Sequence, residues 1–420
     1  MSFAKNTYVY LFSNILNAAI PFILLPILTR YLSPDEYGQI AMFQTMLTGI
    51  GAFIGLNTVG AANRKFYDDN LSLNETRMFN GSCLQILIFT LFIATVAVMV
   101  AEGFLTNFLS IPSEWLYLAL LVSSCTFLIN FRLGQWQVRK SATKYGLLQV
   151  GNSILNMSLT LILIVFYDEG AKGRIDALLY AGVMSATIAI FLLYKDQLVS
   201  LRSINKGHIK EALNFGMPLV PHVFGAFLLT AADRFVINDR LGLADAGIYM
   251  VAVQVSMALN IVFDAINKAY VPWLFERLKR NDEKEKLVIV KNTYTYFLCV
   301  LSLAAVSFFI GPAMITLVVG DEYQAAGRII GWLCLGQVFG GMYLMVTNYI
   351  FYAKKTGRLS LVTIGSGLLN LLTMLVLVNY LGIEGAAISF AFSKMIQFLL
   401  TWLLASKSTP MPWGVIYGTR

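Results

Sequence analysis

The sequence predicts an all-α polytopic membrane protein with twelve transmembrane helices in two six-helix bundles around a central cavity. Three observations predict it. Hydrophobic residues make up 57% of the 420 and charged residues only 13%, against roughly 25% charged in soluble domains, so a water-soluble fold would lack a polar skin. Polar punctuation cuts the chain into twelve apolar runs, and a bilayer core about 30 Å thick takes about 20 apolar residues per helix. Lys and Arg alternate between the connections, 24 on one side and 6 on the other, with Lys394 inside the last run.

The runs begin near Tyr8, Tyr37, Met78, Trp115, Tyr145, Ala177, Asn214, Gly247, Asn292, Ile329, Leu359 and Gly385. Only Lys5 precedes the first run, which is long and has no small-residue cleavage site behind it, so it is expected as a retained helix rather than a removed signal. By the positive-inside rule the basic side is cytoplasmic, which puts both termini of an inner-membrane protein there. The longest basic-side connection, Lys195 to Leu213, divides the chain. Residues 1–194 are expected as one six-helix bundle, 195–213 as a cytoplasmic linker and 214–420 as the second bundle. The acid-base run Glu276 to Lys286 reads as a solvated helical extension, with binding of anionic lipid as the other reading. Cys83, Cys125, Cys299 and Cys334 lie far apart inside apolar runs, which suggests neither a disulfide framework nor a metal site. The net charge of +8 is accounted for by the loops rather than by a nucleic-acid surface.

The halves look related. Residues 140–165 set against 354–379 match at Lys140/Lys354, Gly151/Gly365 and Asn156/Asn370, besides several leucines. Leucine matches between apolar helices mean little; the basic residue, the Gly and the Asn in register carry the signal. A fainter echo sets Leu32 and Gly38 against Leu241 and Gly247. With an even number of spans per half, the repeats share one orientation and are related by an axis along the membrane normal.

Ionisable residues in or at the ends of spans are costly in hydrocarbon and therefore candidates for function. Lys394, near the middle of its span, faces either a wet cavity or a structural ion-pair partner. Asp233 and Arg234 end the seventh span and Arg30 ends the first, where each serves as a cavity group or as an interfacial anchor. Asp264 and Lys268 stand at i, i+4, the spacing of an intrahelical pair, and Asp233 and Asp264 also suit coupling to an ion. Arg30, Arg234, Lys268 and Lys394 outnumber the acids, so a cavity lined by them favours an anion. Pro21 and Pro26 in the first span and Pro218 and Pro221 in the seventh occupy the first helix of each half, where missing amide donors loosen a helix and suit gating, although proline is also common in membrane helices. His222 is either a proton site or a satisfied polar residue. No outer connection carries a cluster of acids, histidines or serines, which argues against an enzyme; no cofactor is suggested.

In the segments LTRYLSPDEYGQI, ADRFVI with RLGLADAGIY, and FYAKKTG with GLLNLL and LGIEGAAIS, the chain resembles the Wzx-type O-antigen and capsule repeat-unit flippases of the multidrug/oligosaccharidyl-lipid/polysaccharide exporter superfamily. The resemblance implies outward flipping of an undecaprenyl-diphosphate-linked oligosaccharide through a cationic lumen, a role that would fall to Arg30, Arg234, Lys268 and Lys394. It also implies inner-membrane lipids, and a polysaccharide polymerase and chain-length regulator, as partners. An exporter of another lipid-linked precursor or a drug is the alternative within transport. A membrane glycosyl polymerase or ligase is the alternative outside it.

Overall fold

The computed structural model describes residues 3–68, 72–202, 204–353 and 358–414. Among them the chain is helical with no strand, and eleven helices are long and apolar enough to cross a membrane, twelve when one bent pair is taken as a single span. Contacts divide the chain into two compact units, 1–227 and 228–420.

In the first unit, α1 (Phe3–Tyr31) runs unbroken through Pro21 and Pro26. Next, α2 (Pro34–Gly51) starts where the sequence Leu-Ser-Pro-Asp-Glu demands. Pro34 stands in the first turn, the Ser33 hydroxyl accepts the Glu36 amide at 3.3 Å, and the Glu36 carboxylate accepts the Ser33 amide at 2.9 Å. Such reciprocal caps satisfy donors that no helical carbonyl reaches. A 3₁₀ turn over Ile54–Asn57 then bends the span by 53° into α3 (Thr58–Lys65).

A second reciprocal cap, Ser72 with Glu75, opens α4 (Leu73–Leu109). It is followed by α5 (Ser113–Val138), α6 (Ala142–Leu161, ending in a π turn over Ile162–Phe166) and α7 (Gly170–Lys195). The central helix of this unit is α5: two-thirds of its apolar window is buried, and it packs on α2, α3, α4 and α7. The stretch after α7 is tied down. Ser200 donates its amide to the Arg77 carbonyl at 3.1 Å, and Asn80 donates to the Leu198 carbonyl at 2.9 Å. The seventh span begins as α8 (Lys206–Gly216), tightens into a 3₁₀ turn over Met217–Leu219 at Pro218, and continues as α9 (Val220–Thr230). The proline pair in α1 thus leaves a continuous helix, while the second pair sits in and beside a turn.

The second unit contains α10 (Asp233–Leu241), the long α11 (Leu243–Arg280) and α12 (Glu283–Val318), then α13 (Ala326–Tyr352), α14 (Leu359–Leu381) and α15 (Ile383–Ser408). Here α13 is the central helix, packed on α11, α12 and α15 with two-thirds of its apolar window buried. Aromatic rings supply much of this core: Phe297 meets Phe398 edge-on at 5.3 Å and Trp402 at 5.7 Å. The acid-base run is helical at both ends, with Arg280 bridging Glu276 at 2.5 Å and Glu285 at 3.0 Å.

Of the matched repeat positions, Gly151 and Gly365 both face open space, so close helix packing is not what they share. Asn156 accepts a hydrogen bond from Arg174 at 2.5 Å, whereas Asn370 is fully buried with neither side-chain atom partnered. Lys354 lies outside the described residues. Three cysteines are buried as core residues; Cys299 is exposed on α12.

Candidate functional site

The second unit contains three of the four expected cations in three different environments. Arg234 and Asp233 are buried at the junction of α9 and α10. The Arg234 guanidinium donates to the Thr230 carbonyl at 3.1 Å, capping the end of α9, and stands 3.4 Å from the Asp233 carboxylate. That carboxylate accepts the Tyr249 hydroxyl at 2.8 Å and the Arg234 amide at 2.9 Å. Both charges are therefore satisfied locally, the condition under which buried ions are tolerated. Lys268 and Asp264 form the expected i, i+4 pair at 2.5 Å on an exposed face of α11.

Lys394 differs. It lies half-buried in the middle of α15, its ammonium is 5.7 Å from the centroid of the Phe390 ring, and no ion pair reaches it among the described residues. The faces beside it are polar: Ser389, Ser393 and Gln397 are buried on the same helix, each with a side-chain oxygen that finds no partner. A cation with no acid paired to it is suited to meeting an anion from outside the protein.

In the first unit, Arg30 is exposed and donates to the Pro26 carbonyl one turn earlier, at 2.6 Å. The larger feature is a cavity of about 760 Å³ at the break between α2 and α3. Gln44 and Thr48 of α2, Asn57 at the break, and Ser123, Thr126 and Asn130 of α5 provide its polar lining, and no charged residue among those described lines it. The spacing explains this: Gln44 and Thr48 stand one turn apart on α2, while Ser123, Thr126 and Asn130 share one face of α5. The Ser123 hydroxyl and the Asn57 side-chain nitrogen are both buried without a partner.

The break itself depends on left-handed backbone. Gly55, Leu56 and Asn57 have φ of 70°, 46° and 56°. At Gly55 a Cβ would run into the Phe127 ring, so only glycine fits. The freed groups are recovered by side chains: Thr90 accepts the Gly55 amide at 3.0 Å and Thr58 donates to the Gly55 carbonyl at 2.7 Å. Amides and hydroxyls in an uncharged cavity both donate and accept, which suits a neutral ligand rich in hydroxyl groups.

Sequence reasoning passed over this cavity because Gln, Asn, Ser and Thr scattered through an apolar run carry no charge to flag them. Their helical spacing, together with Gly51, Gly55 and Gly60 in one run, was the available signal. It also assigned Arg132 and Arg174 to connections, whereas both lie within helices. Arg132 is wholly buried in α5 and paired with Asp196, and Arg174 donates from α7 to Asn156 and Thr160.

Residues 3–278 match the family model described as polysaccharide biosynthesis protein. An uncharacterized membrane protein of Haemophilus influenzae is 29% identical over 88% of the chain and 89% of its own length. A Shigella flexneri protein provisionally named as an O-antigen transporter is 23% identical over 96% of the chain and 98% of its own length. Among solved structures, the inward closed conformation of the lipid II flippase MurJ superposes with a TM-score of 0.76 at 14% identity, covering 97% of this chain and 88% of that one. An inward-facing multidrug resistance MATE family transporter of the MOP superfamily superposes at 0.71 with 16% identity, covering 94% of each chain. At such identities the likeness is one of fold.

Proposed function

Because this chain belongs to the polysaccharide biosynthesis protein family, we propose that it is a flippase. It moves undecaprenyl-diphosphate-linked oligosaccharide repeat units from the cytoplasmic to the periplasmic leaflet by alternating access, for O-antigen or capsule assembly. It is a transporter rather than an enzyme. The observation that carries this reading is the uncharged amide and hydroxyl cavity at the broken second span, since discontinuous membrane helices supply binding sites in transporters. Sugar hydroxyls pair with Gln44, Asn57, Ser123 and Asn130 there.

The diphosphate is attracted by the basic residues Arg30, Arg234, Lys268 and Lys394. Among the described residues neither Arg30 nor Lys394 has an acid paired to it, but Arg30 already donates to the Pro26 carbonyl, so Lys394 gains most from an incoming anion. Asp233 and Asp264 hold Arg234 and Lys268 in place, and coupling to a cation at these carboxylates competes with those pairs. Pro218, in the 3₁₀ turn of the seventh span with Pro221 just after it, suits a gating hinge better than Pro21 and Pro26, which lie in a continuous helix. The excess of basic residues in alternate connections supports an inner-membrane protein with both termini cytoplasmic, where the polymerase and chain-length regulator of the same assembly line would receive its product.

The test is reconstitution of the purified chain in proteoliposomes with fluorescent lipid-linked oligosaccharide. Transfer between leaflets is read by the fraction of label that a membrane-impermeant quencher reaches. Protein-dependent exposure of the lipid is expected; a rate equal to that of empty vesicles would refute the assignment.

A further inference from the structure

At the end of the first unit where α5 and α7 stop and α6 begins, a second cavity of about 530 Å³ opens among the three helices. Its charged lining is Arg132, Lys144, Lys195 and Asp196, three positive charges against one negative. Arg132 is wholly buried; one guanidinium nitrogen pairs with Asp196, while Nε and the other terminal nitrogen have no acceptor among the described residues. Its guanidinium lies 4.0 Å from the centroid of the Trp136 ring, and the buried indole N–H of Trp136 has no acceptor either. Leaving such donors unmet in a buried place is costly. Three unmet donors on two neighbouring residues thus mark a place for a ligand with several acceptor oxygens.

Apart from Asn152 and Ser185 the remainder of the lining is apolar, and it opens sideways. Leu155 of α6 is eleven residues from Lys144, and Met184 of α7 is eleven from Lys195. Each is therefore about 16 Å along its helix at 1.5 Å per residue. Met184 and Ile188 are exposed on the outer face of α7, where a membrane helix meets lipid. Cationic donors at the helix ends, continued by an apolar groove towards the middle of the span, match the two parts of a phospholipid.

We propose that this cavity binds an anionic phospholipid of the surrounding bilayer, with its phosphodiester on Arg132, Lys144 and Lys195 and one acyl chain along Leu155, Met184 and Ile188. An anionic headgroup relieves the surplus of positive charge, whereas a zwitterionic one brings a further cation to it. Basic pockets between membrane helices are known to take such headgroups. The bound lipid ties the ends of α5, α6 and α7 together, and the inference does not depend on what the protein transports.

The probe is phosphatidylglycerol against phosphatidylcholine, titrated into the full-length detergent-purified protein, with bound lipid counted by native mass spectrometry. Arg132 is buried and paired, so the exposed lysines carry the test. The wild type is expected to prefer phosphatidylglycerol by about tenfold or more, and the Lys144→Gln, Lys195→Gln double variant to lose at least most of that preference, since about 1.4 kcal/mol is tenfold. A Lys206→Gln, Lys210→Gln variant removes equal charge from exposed positions of α8 and should keep the preference. Equal binding of the two lipids, an unaffected double variant, or an equal loss in the α8 control would each overturn the site. So would displacement of phosphatidylglycerol by equimolar undecaprenyl diphosphate, which would make the cavity a cargo site instead.

Discussion

At the scale of single residues, the decisive property is whether a charge already has a partner. Arg234 spends its donors on the end of α9 and on Asp233, and Lys268 spends its ammonium on Asp264. Among the described residues Lys394 meets the face of Phe390 and no acid, although a cation at the centre of a membrane helix costs about 2.5–3.5 kcal/mol on insertion scales. A charge kept at that cost without an acid beside it is consistent with use by a ligand. Lys394→Glu should therefore abolish surface polysaccharide in a complemented deletion strain, while Lys394→Arg keeps most of it. Wild-type polysaccharide from a normally expressed Lys394→Glu protein would remove this residue from the site. Arg132 shows the opposite limit, a buried cation that sequence position alone assigns to a loop. Its burial depends on Asp196 folding back from beyond the end of α7, a contact 64 residues away in the chain.

At the scale of elements, the bend between α2 and α3 matters most. Three consecutive left-handed residues are unfavourable by roughly 1–2 kcal/mol for each that is not glycine, and neighbours must hold them. Thr90 and Thr58 hold the backbone of Gly55, and Gly216 allows α8 to approach the Leu56 carbonyl more closely than a side chain would permit. Gly55→Ala should lower the stability of the purified protein by about 1–3 kcal/mol and reduce flipping, because its Cβ strikes Phe127 at a positive φ. Gly51→Ala, with nothing within 4 Å of its Cβ, should leave the stability unchanged. Equal melting curves for wild type and Gly55→Ala would show that the break is not held by Gly55. The prolines show why a motif does not translate directly into a hinge: α1 absorbs two of them within one continuous helix, whereas the seventh span tightens at Pro218.

At the scale of the whole molecule, the proposed cargo carries about two negative charges. Moving one charge through 100 mV is worth about 2.3 kcal/mol. An inside-negative potential then drives the diphosphate outward, and no dedicated energy source is obligatory if the empty carrier can return. The carboxylates that a coupling cation would need, Asp233 and Asp264, are already paired. In proteoliposomes, collapsing the potential with valinomycin and matched potassium should slow flipping more than removing a sodium or proton gradient alone. Flipping that ignores the potential and stops without one ion gradient would replace this mechanism with antiport.

The sequence by itself determined the membrane-spanning class, the number of spans and their approximate limits, because the bilayer imposes a length and a composition that each run must meet locally. It also determined the Asp264–Lys268 pair, whose members are four residues apart. The tertiary structure alone decided which polar groups are paired and which are left open. Arg132 with Asp196, Asn156 with Arg174, and the cavity of Gln44, Asn57, Ser123 and Asn130 each join residues from different helices. In an apolar run no hydropathy pattern distinguishes a face turned to lipid from one turned to a polar cavity, since a span can carry its few neutral polar residues on either. Only the packing of one helix against another brings those residues together and excludes the lipid from them.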